Sequence, residues 1–212
     1  MTSATSASQP AVVRLLNTPS AKALADLAAM FEDLQTTLRC CERLVSALDV
    51  PGPDDLLVEA LWTTAVLSYA RCFSPGRQGK GLTDADIKAT SLKGDVLEWH
   101  KVLRQLRKHY SDPAVNPREA FSVGASQDSE GKVNGIAITG VRRPIVDDLS
   151  VRQTGAIAYA LSVLVDKRIT EHQEQMFPKI ESMTKADLEK LPLVDVDVDI
   201  DAAAADPGDM SD

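Results

Sequence analysis

A run of regularly spaced apolar residues between Pro19 and Pro51 constrains the fold more than any other feature of this sequence. The apolar positions follow one another in alternating steps of three and four: Leu24, Leu27, Phe31, Leu34, Leu38, Cys41, Leu44/Val45 and Leu48. This spacing places them all along one side of an α-helix. We predict a helix that begins with Ser20 as its N-cap and ends near Asp49, before the prolines that follow.

The same spacing has two structural explanations. It is typical of the core-facing side of a helix in a bundle, and it is also typical of a coiled-coil seam between two chains. Aromatic residues make up only 4% of the chain, so alanine, leucine and valine must fill the interior. Closely packed helices suit such residues, and we therefore favour the bundle, with the dimer seam as the alternative.

Further segments also predict helices. In the segment from Pro53 to about Phe73, apolar or small residues cover almost the whole circumference, which indicates a buried central helix that holds Trp62 in the core. The segment Gly94–Asp112 has an apolar stripe, and the Ser-Asp-Pro that begins at Ser111 ends its helix. A last long helix begins at Asp148 or Ser150. We expect it to end near Phe177, because Pro178 follows. Short helical segments are predicted at 11–16, 83–88 and 185–191.

The segment 120–141 differs from the rest of the chain. Two short extended runs flank a turn rich in serine, aspartate and glycine at Gln127–Lys132. This arrangement predicts a β-hairpin. The predicted fold class is therefore mostly α, a helical bundle of four to five helices with an inserted β-hairpin and disordered termini.

Charge is distributed unevenly along the chain and separates a body from a tail. The residues from Asp187 to the end contain nine acidic side chains and one lysine, which equals the whole net charge of −8, so the preceding residues carry 22 acidic and 22 basic side chains. Alternating valine and aspartate near the end favour disorder, since like charges would share one face of a strand. We predict a disordered N-terminus at 1–10, a single helical domain at 11–191 and an acidic disordered tail at 192–212.

Several kinds of site are not indicated by the sequence. It contains no dinucleotide-binding glycine motif, no P-loop, no zinc-protease motif and no nucleophile elbow. The three cysteines have no metal-ligand spacing, so we expect no metal and no cofactor. We see neither a signal peptide nor an apolar run long enough to span a bilayer, and we expect a soluble, cytoplasmic protein with no membrane partner.

The segment Gly94–Asp112 carries the side chains most suited to chemistry. His100, Arg104 and Arg107 occupy positions i, i+4 and i+7 and so share one helical face, and His109 follows at the end. Histidine can act as a general acid or base, and arginine can hold a phosphate with paired donors. These groups would suit RNA cleavage without a metal, in which the ribose 2′-hydroxyl attacks the neighbouring phosphorus. In the alternative, His100 and Trp99 cap the core and the arginines form a solvated face.

Helical geometry separates Arg104 from His109. Five residues of a straight helix turn through about 500°, so the two side chains diverge by roughly 140°. They can meet at one phosphate only if the helix ends near Lys108 and the chain turns His109 back, or if a second chain supplies one of the two.

The spacing Arg104-x-x-x-x-His109 matches the R-x(4–6)-H motif, and the chain resembles HEPN domains, which are helical nucleotide-binding and ribonuclease modules of prokaryotic toxin and defence systems. Three segments carry the resemblance: LWTTAVLSYARCFSPGRQGKGL, HKVLRQLRKHYSDPAVNPREAFSVG, and the hairpin that leads to the last long helix. Related sequences more often have a second histidine shortly after the first, and here Tyr110 and Ser111 follow His109 without one.

The resemblance implies an RNA- or nucleotide-binding protein. With a functional motif it would be a metal-independent endoribonuclease of a toxin or defence system; with a degenerate motif, in which His109 is not an active-site residue, it would lack ribonuclease activity. Arg104 and His109 would be catalytic, and His100, Arg107 and Arg77 would bind the substrate. Two chains would form a homodimer with their motif helices facing each other. The alternative function is that of a non-catalytic helical interaction or scaffold protein, which would bind a protein partner through its long helices or its acidic tail.

Overall fold

The computed structural model describes residues 12–74, 81–112, 114, 116, 118–142 and 146–194. In this part of the chain, six helices and a two-stranded sheet follow one another in the order α1 Pro19–Leu48, α2 Asp55–Arg71, α3 Asp84–Ala89, α4 Val96–Ser111, β1 Glu119–Gln127, β2 Val133–Arg142, α5 Asp148–Glu181 and α6 Lys185–Glu189. The predicted fold class, mostly α with an inserted hairpin, is confirmed. None of the helices within these ranges is long and apolar enough to cross a membrane.

The long helices α1 and α5 run antiparallel along the body. His172 Nε2 lies 2.9 Å from the Ser20 hydroxyl at one end, and Gly155 lies against Cys41 near the other. Helix α2 packs on α1, and α4 packs on α2. Trp62 is 5% exposed, so its predicted place in the core is confirmed.

The first helix begins differently from the prediction. Its N-cap is Thr18, whose hydroxyl accepts a hydrogen bond from the Ala21 amide at 3.1 Å, and Pro19 occupies the first turn. A proline at this position loses no helical hydrogen bond, because the first amides of a helix have no partner within it. The predicted cap, Ser20, faces His172 instead.

The last long helix continues past the proline at which we expected it to end. Asp147 caps its start, and Pro178 lies inside the helix, which ends at Glu181. Proline has a φ suited to a helix, and its cost is a lost hydrogen bond to the carbonyl four residues earlier. Here that carbonyl belongs to exposed Glu174, where water can serve as the donor.

The segment before α1 pairs with the segment after α6. The Leu15 amide donates to the Pro192 carbonyl at 2.8 Å, and the Val194 amide donates to the Val13 carbonyl at 2.9 Å. The described part of the segment predicted as a helical turn at 11–16 is therefore extended. We predicted the helical turn from local helix propensity alone. The extended conformation results from pairing with residues 192–194, which are distant in sequence.

This pairing also moves the predicted end of the domain. Residues 192–194 belong to the ordered body, although we assigned them to the tail. Residues 1–10 and 195–212, for which we predicted disorder, lie outside the described residues.

The β-hairpin lies where the sequence predicted it. Its strands are antiparallel, and Val123 lies opposite Ile138 in the register. Two ion pairs fix its base to the start of α2: Arg118 pairs with Glu59 at 2.6 Å, and Arg142 pairs with Asp55 at 3.1 Å. Beyond this base, both faces of the hairpin are exposed along nearly their whole length.

Candidate anion-binding cleft

Helix α4 presents its cations to solvent because its apolar stripe packs inward. Leu103 is fully buried, and Val96, Leu97 and Leu106 pack against the core from the same helix. The positions between these residues therefore face outward, and they carry Arg104, Arg107 and Lys108.

A cleft lies between this cationic surface and the end of α2. It has a volume of about 290 Å³ and is lined by Ala70, Ser74, Arg104, Gln105, Arg107 and Lys108. The lining therefore contains three cations and no carboxylate. Among the described residues, no carboxylate forms an ion pair with any of the three. We call this site the basic cleft.

The wall of the basic cleft opposite α4 is held by close backbone packing. The Leu82 amide donates to the Cys72 carbonyl at 2.8 Å, which brings Gly81 against the end of α2. A Cβ atom on Gly81 would lie 2.6 Å from the Ser74 carbonyl oxygen, so only glycine allows this approach. Sequence reasoning missed Ser74, Gln105 and Lys108, although Lys108 directly follows Arg107 on the exposed side of α4. Gln105 could have been found next to Arg104, whereas nothing in the sequence places Ser74 beside a helix that begins more than twenty residues later.

His100, which we expected to bind substrate, lies in the core. Its side chain is 1% exposed, its Nδ1 lies 2.8 Å from the Tyr69 hydroxyl, and its ring packs on Phe73 with centroids 4.3 Å apart. Nε2 faces Asp84 Oδ1 at 3.5 Å without forming a hydrogen bond. Burial lowers the pKa of His100, and nearby Arg104 lowers it further, although Asp84 acts in the opposite direction. In this conformation no ligand reaches the imidazole.

The second predicted catalytic residue is separate from the basic cleft. His109 is half-buried and does not line the cleft, and its ring contacts that of Tyr110 with centroids 5.8 Å apart. Helix α4 does not end near Lys108 but continues to Ser111. The condition under which one chain could bring Arg104 and His109 together is therefore not met, since the two positions still diverge by roughly 140°.

Arg104 and Arg107 thus share a cleft, while His100 and His109 lie elsewhere. Arg77, the remaining predicted substrate-binding residue, lies outside the described residues.

Thiol chemistry does not fit the buried cysteines. Cys40, Cys41 and Cys72 are all free thiols in the interior. Burial raises the pKa of Cys41 and of Cys72 to about 12, so neither is a thiolate at neutral pH. Over the part of the chain that the structure describes, no cluster of three histidine, cysteine or acidic side chains could hold a metal ion.

Comparison with known proteins adds no family assignment. The chain matches no protein-family model, no curated protein and no solved structure. The HEPN-like identity therefore stays a prediction from the motif and the three segments quoted above.

Proposed function

We propose that this protein binds RNA through the basic cleft between α2 and α4. The observation that supports the proposal is the set of three exposed cations, Arg104, Arg107 and Lys108, which line one cleft with no carboxylate among them. Cations that repel one another and lack acidic partners are best stabilised by an anion. Arginine in particular offers paired donors that match the oxygens of a phosphate.

The size of the basic cleft favours a phosphate backbone over a large organic ligand. At about 290 Å³ it lies at the lower end of the volumes of small-molecule pockets. It accommodates a phosphate with part of its ribose, and a chain of nucleotides would continue along the exposed surface of α4. A free nucleotide offers the same phosphate chemistry at a single site, and competition between the two ligands distinguishes them.

Fluorescence anisotropy with a labelled single-stranded RNA at low salt tests this proposal. We expect the double variant Arg107→Glu and Lys108→Glu to weaken binding at least tenfold, and the slope of log affinity against log salt to fall by about 0.7 for each lost phosphate contact. Lys22→Glu combined with Arg43→Glu is the matched control, because it changes the net charge equally and both residues are exposed on α1 and do not line the cleft. We expect it to leave both quantities nearly unchanged.

Two results would overturn the proposal: no binding by the wild-type chain, or equal weakening by the control and by the double variant. If a nucleoside triphosphate competes with the labelled RNA more strongly than unlabelled RNA does, the ligand of the basic cleft is a nucleotide and not RNA.

Metal-independent cleavage of the bound RNA is a narrower proposal, and it rests on the Arg104-x-x-x-x-His109 motif. Because the two side chains diverge on one helix, we propose that Arg104 of one chain and His109 of another act on the same phosphate. The 2′-oxygen would bond to the phosphorus while the bond from phosphorus to the 5′-oxygen breaks. His109 would either remove the proton of the 2′-hydroxyl or donate a proton to the leaving 5′-oxygen, with water in the other role, and Arg104 would stabilise the charge on the phosphorus oxygens.

Subunit complementation tests this arrangement. Arg104→Ala and His109→Ala should each abolish cleavage of a labelled RNA in the presence of a chelator. A mixture of the two inactive variants should regain part of the activity, because each mixed dimer contains one intact site. If the wild-type chain binds RNA but does not cleave it, the cleavage proposal fails and the binding proposal stands.

A further inference from the structure

One face of the β-hairpin is apolar and fully open to solvent. Residues that lie opposite each other in the register project to the same side of the sheet, which places the following residues on one side: Phe121, Val123, Ala125, Ile136 and Ile138. We call this surface the hairpin face. Its four large side chains are between 59% and 80% exposed. Such a concentration of exposed apolar residues marks an interaction surface.

The hairpin is also unprotected at its edges. A two-stranded hairpin is marginally stable in water on its own, and an open strand edge invites pairing unless charges block it. Between Ala120 and Gln127, and between Val133 and Val141, neither strand contains a charged residue. The charges occur only at the base, where the ion pairs to α2 form, and at the tip, where Asp128, Glu130 and Lys132 lie.

We propose that the hairpin face packs against the hairpin face of a second copy of this chain. A two-fold axis between the copies would bring each apolar face against an identical one and form every favourable contact twice. The hairpin face carries no charged side chain. It therefore has no charge pattern that a different protein could complement, and two copies of the face do not repel each other. Because the hairpin is attached to the body at its base and contains no residue of α4, this pairing leaves α4 of each copy free for the arrangement that the cleavage proposal requires.

The area of the face agrees with a dimer of modest affinity. Four large side chains, each more than half exposed, present a patch of a few hundred Å². Two such patches together approach the roughly 1,000 Å² that a specific interface needs. Face-to-face packing would also bury one side of a hairpin that is marginally stable alone. This interface is separate from the basic cleft, so its test is independent of RNA binding.

Sedimentation or light scattering of the full-length chain, at tens of micromolar without RNA, tests the proposal. We expect the wild type to be a dimer and Ile138→Lys to be a monomer, with the dissociation constant raised about a hundredfold or more. Thr139→Lys is the matched control, because Thr139 is the next residue of the same strand and projects from the opposite side of the sheet. It should remain a dimer, and circular dichroism should show the same helix content in all three proteins.

A mixing experiment separates loss of the interface from damage to the hairpin. A solution of the Ile138→Lys variant and the Ile138→Glu variant should contain mixed dimers, because opposite charges attract across the interface whereas like charges repel. The proposal is overturned if the wild type is a monomer, if Ile138→Lys remains a dimer, or if Thr139→Lys dissociates to the same extent. If the wild type is a monomer and binds phosphatidylcholine vesicles through the hairpin face, this surface binds a membrane and not a second copy of the chain.

Discussion

The Tyr69 hydroxyl and His100 Nδ1 lie 2.8 Å apart in the core, and their hydrogen bond joins α2 to α4. Asp84 faces the other ring nitrogen, and a carboxylate favours a proton on the nitrogen that it faces. We therefore assign the proton to Nε2 and the donor role to Tyr69, whose pKa is raised by burial so that the hydroxyl keeps its proton. Arg104 follows His100 by one turn, so the contact that fixes His100 also positions the basic cleft.

The state of His100 predicts that stability falls in mild acid. Burial, with a further contribution from Arg104, lowers the pKa of His100 in the folded protein, and Asp84 only partly offsets this effect. The unfolded chain therefore takes up the proton first as the pH falls below about 6.5, and the free energy of unfolding decreases. Above that pH the imidazole is neutral in both states, and its full contribution is present.

Urea unfolding at several pH values between five and seven measures this effect. We expect His100→Gln, which keeps a neutral side chain of similar size, to have a flatter dependence on pH than the wild type. Identical slopes for wild type and His100→Gln would show that another group is responsible.

Gly81→Ala should destabilise the protein by about 1–3 kcal/mol. Its Cβ would lie 2.6 Å from the Ser74 carbonyl oxygen and 3.1 Å from the Ser74 carbonyl carbon, and both atoms belong to a backbone that cannot easily shift. The matched control is Gly124→Ala, where an added Cβ would meet no atom within 4 Å. Equal midpoints of urea unfolding for the two variants would contradict the close approach.

Asp86→Ala should be more costly than the loss of an exposed ion pair. Asp86 is 7% exposed, accepts hydrogen bonds from the Thr83 amide and hydroxyl at 2.7 and 2.9 Å, and pairs with Arg168 of α5. Burial alone would raise the pKa of Asp86, yet the hydrogen bonds from Arg168 and Thr83 hold it below its usual value.

Removal of this carboxylate leaves the partly buried Arg168 unpaired, at an expected cost of about 2–4 kcal/mol in the free energy of unfolding. Glu98→Ala breaks the exposed pair with Lys101 and should cost less than about 1 kcal/mol. Urea unfolding measures the loss of free energy of unfolding in each variant, and we expect the loss to be larger for Asp86→Ala than for Glu98→Ala. An equal or smaller cost for Asp86→Ala would mean that Asp86 does not hold α3 against α5.

Truncation after Leu191 should lower the stability of the protein, whereas truncation after Val194 should leave it unchanged. A chain that ends at Leu191 loses both backbone hydrogen bonds with the segment before α1, whereas a chain that ends at Val194 keeps them. Two such bonds are worth about 1–3 kcal/mol, which lowers the thermal midpoint by several degrees. Calorimetry of the two truncated chains measures the difference, and equal midpoints would show that the pairing adds no stability.

The sequence by itself determined the helices and the hairpin. Apolar residues in steps of three and four require one buried helical side, and alternating apolar residues on both sides of a turn require paired strands. These are local properties, so the hairpin at 119–142 and the core position of Trp62 could be predicted. The cationic surface of α4 followed from the same periodicity, because an inward apolar stripe leaves Arg104 and Arg107 outside.

Only the tertiary structure decided what those elements bring together. Whether His100 faced solvent or the core depended on Tyr69 and Asp84, which come from two other helices. The opposite wall of the basic cleft depends on Ser74 and on a backbone approach that glycine allows. Periodicity reports which side of an element is buried, but it carries no information about which distant residue is packed against that side.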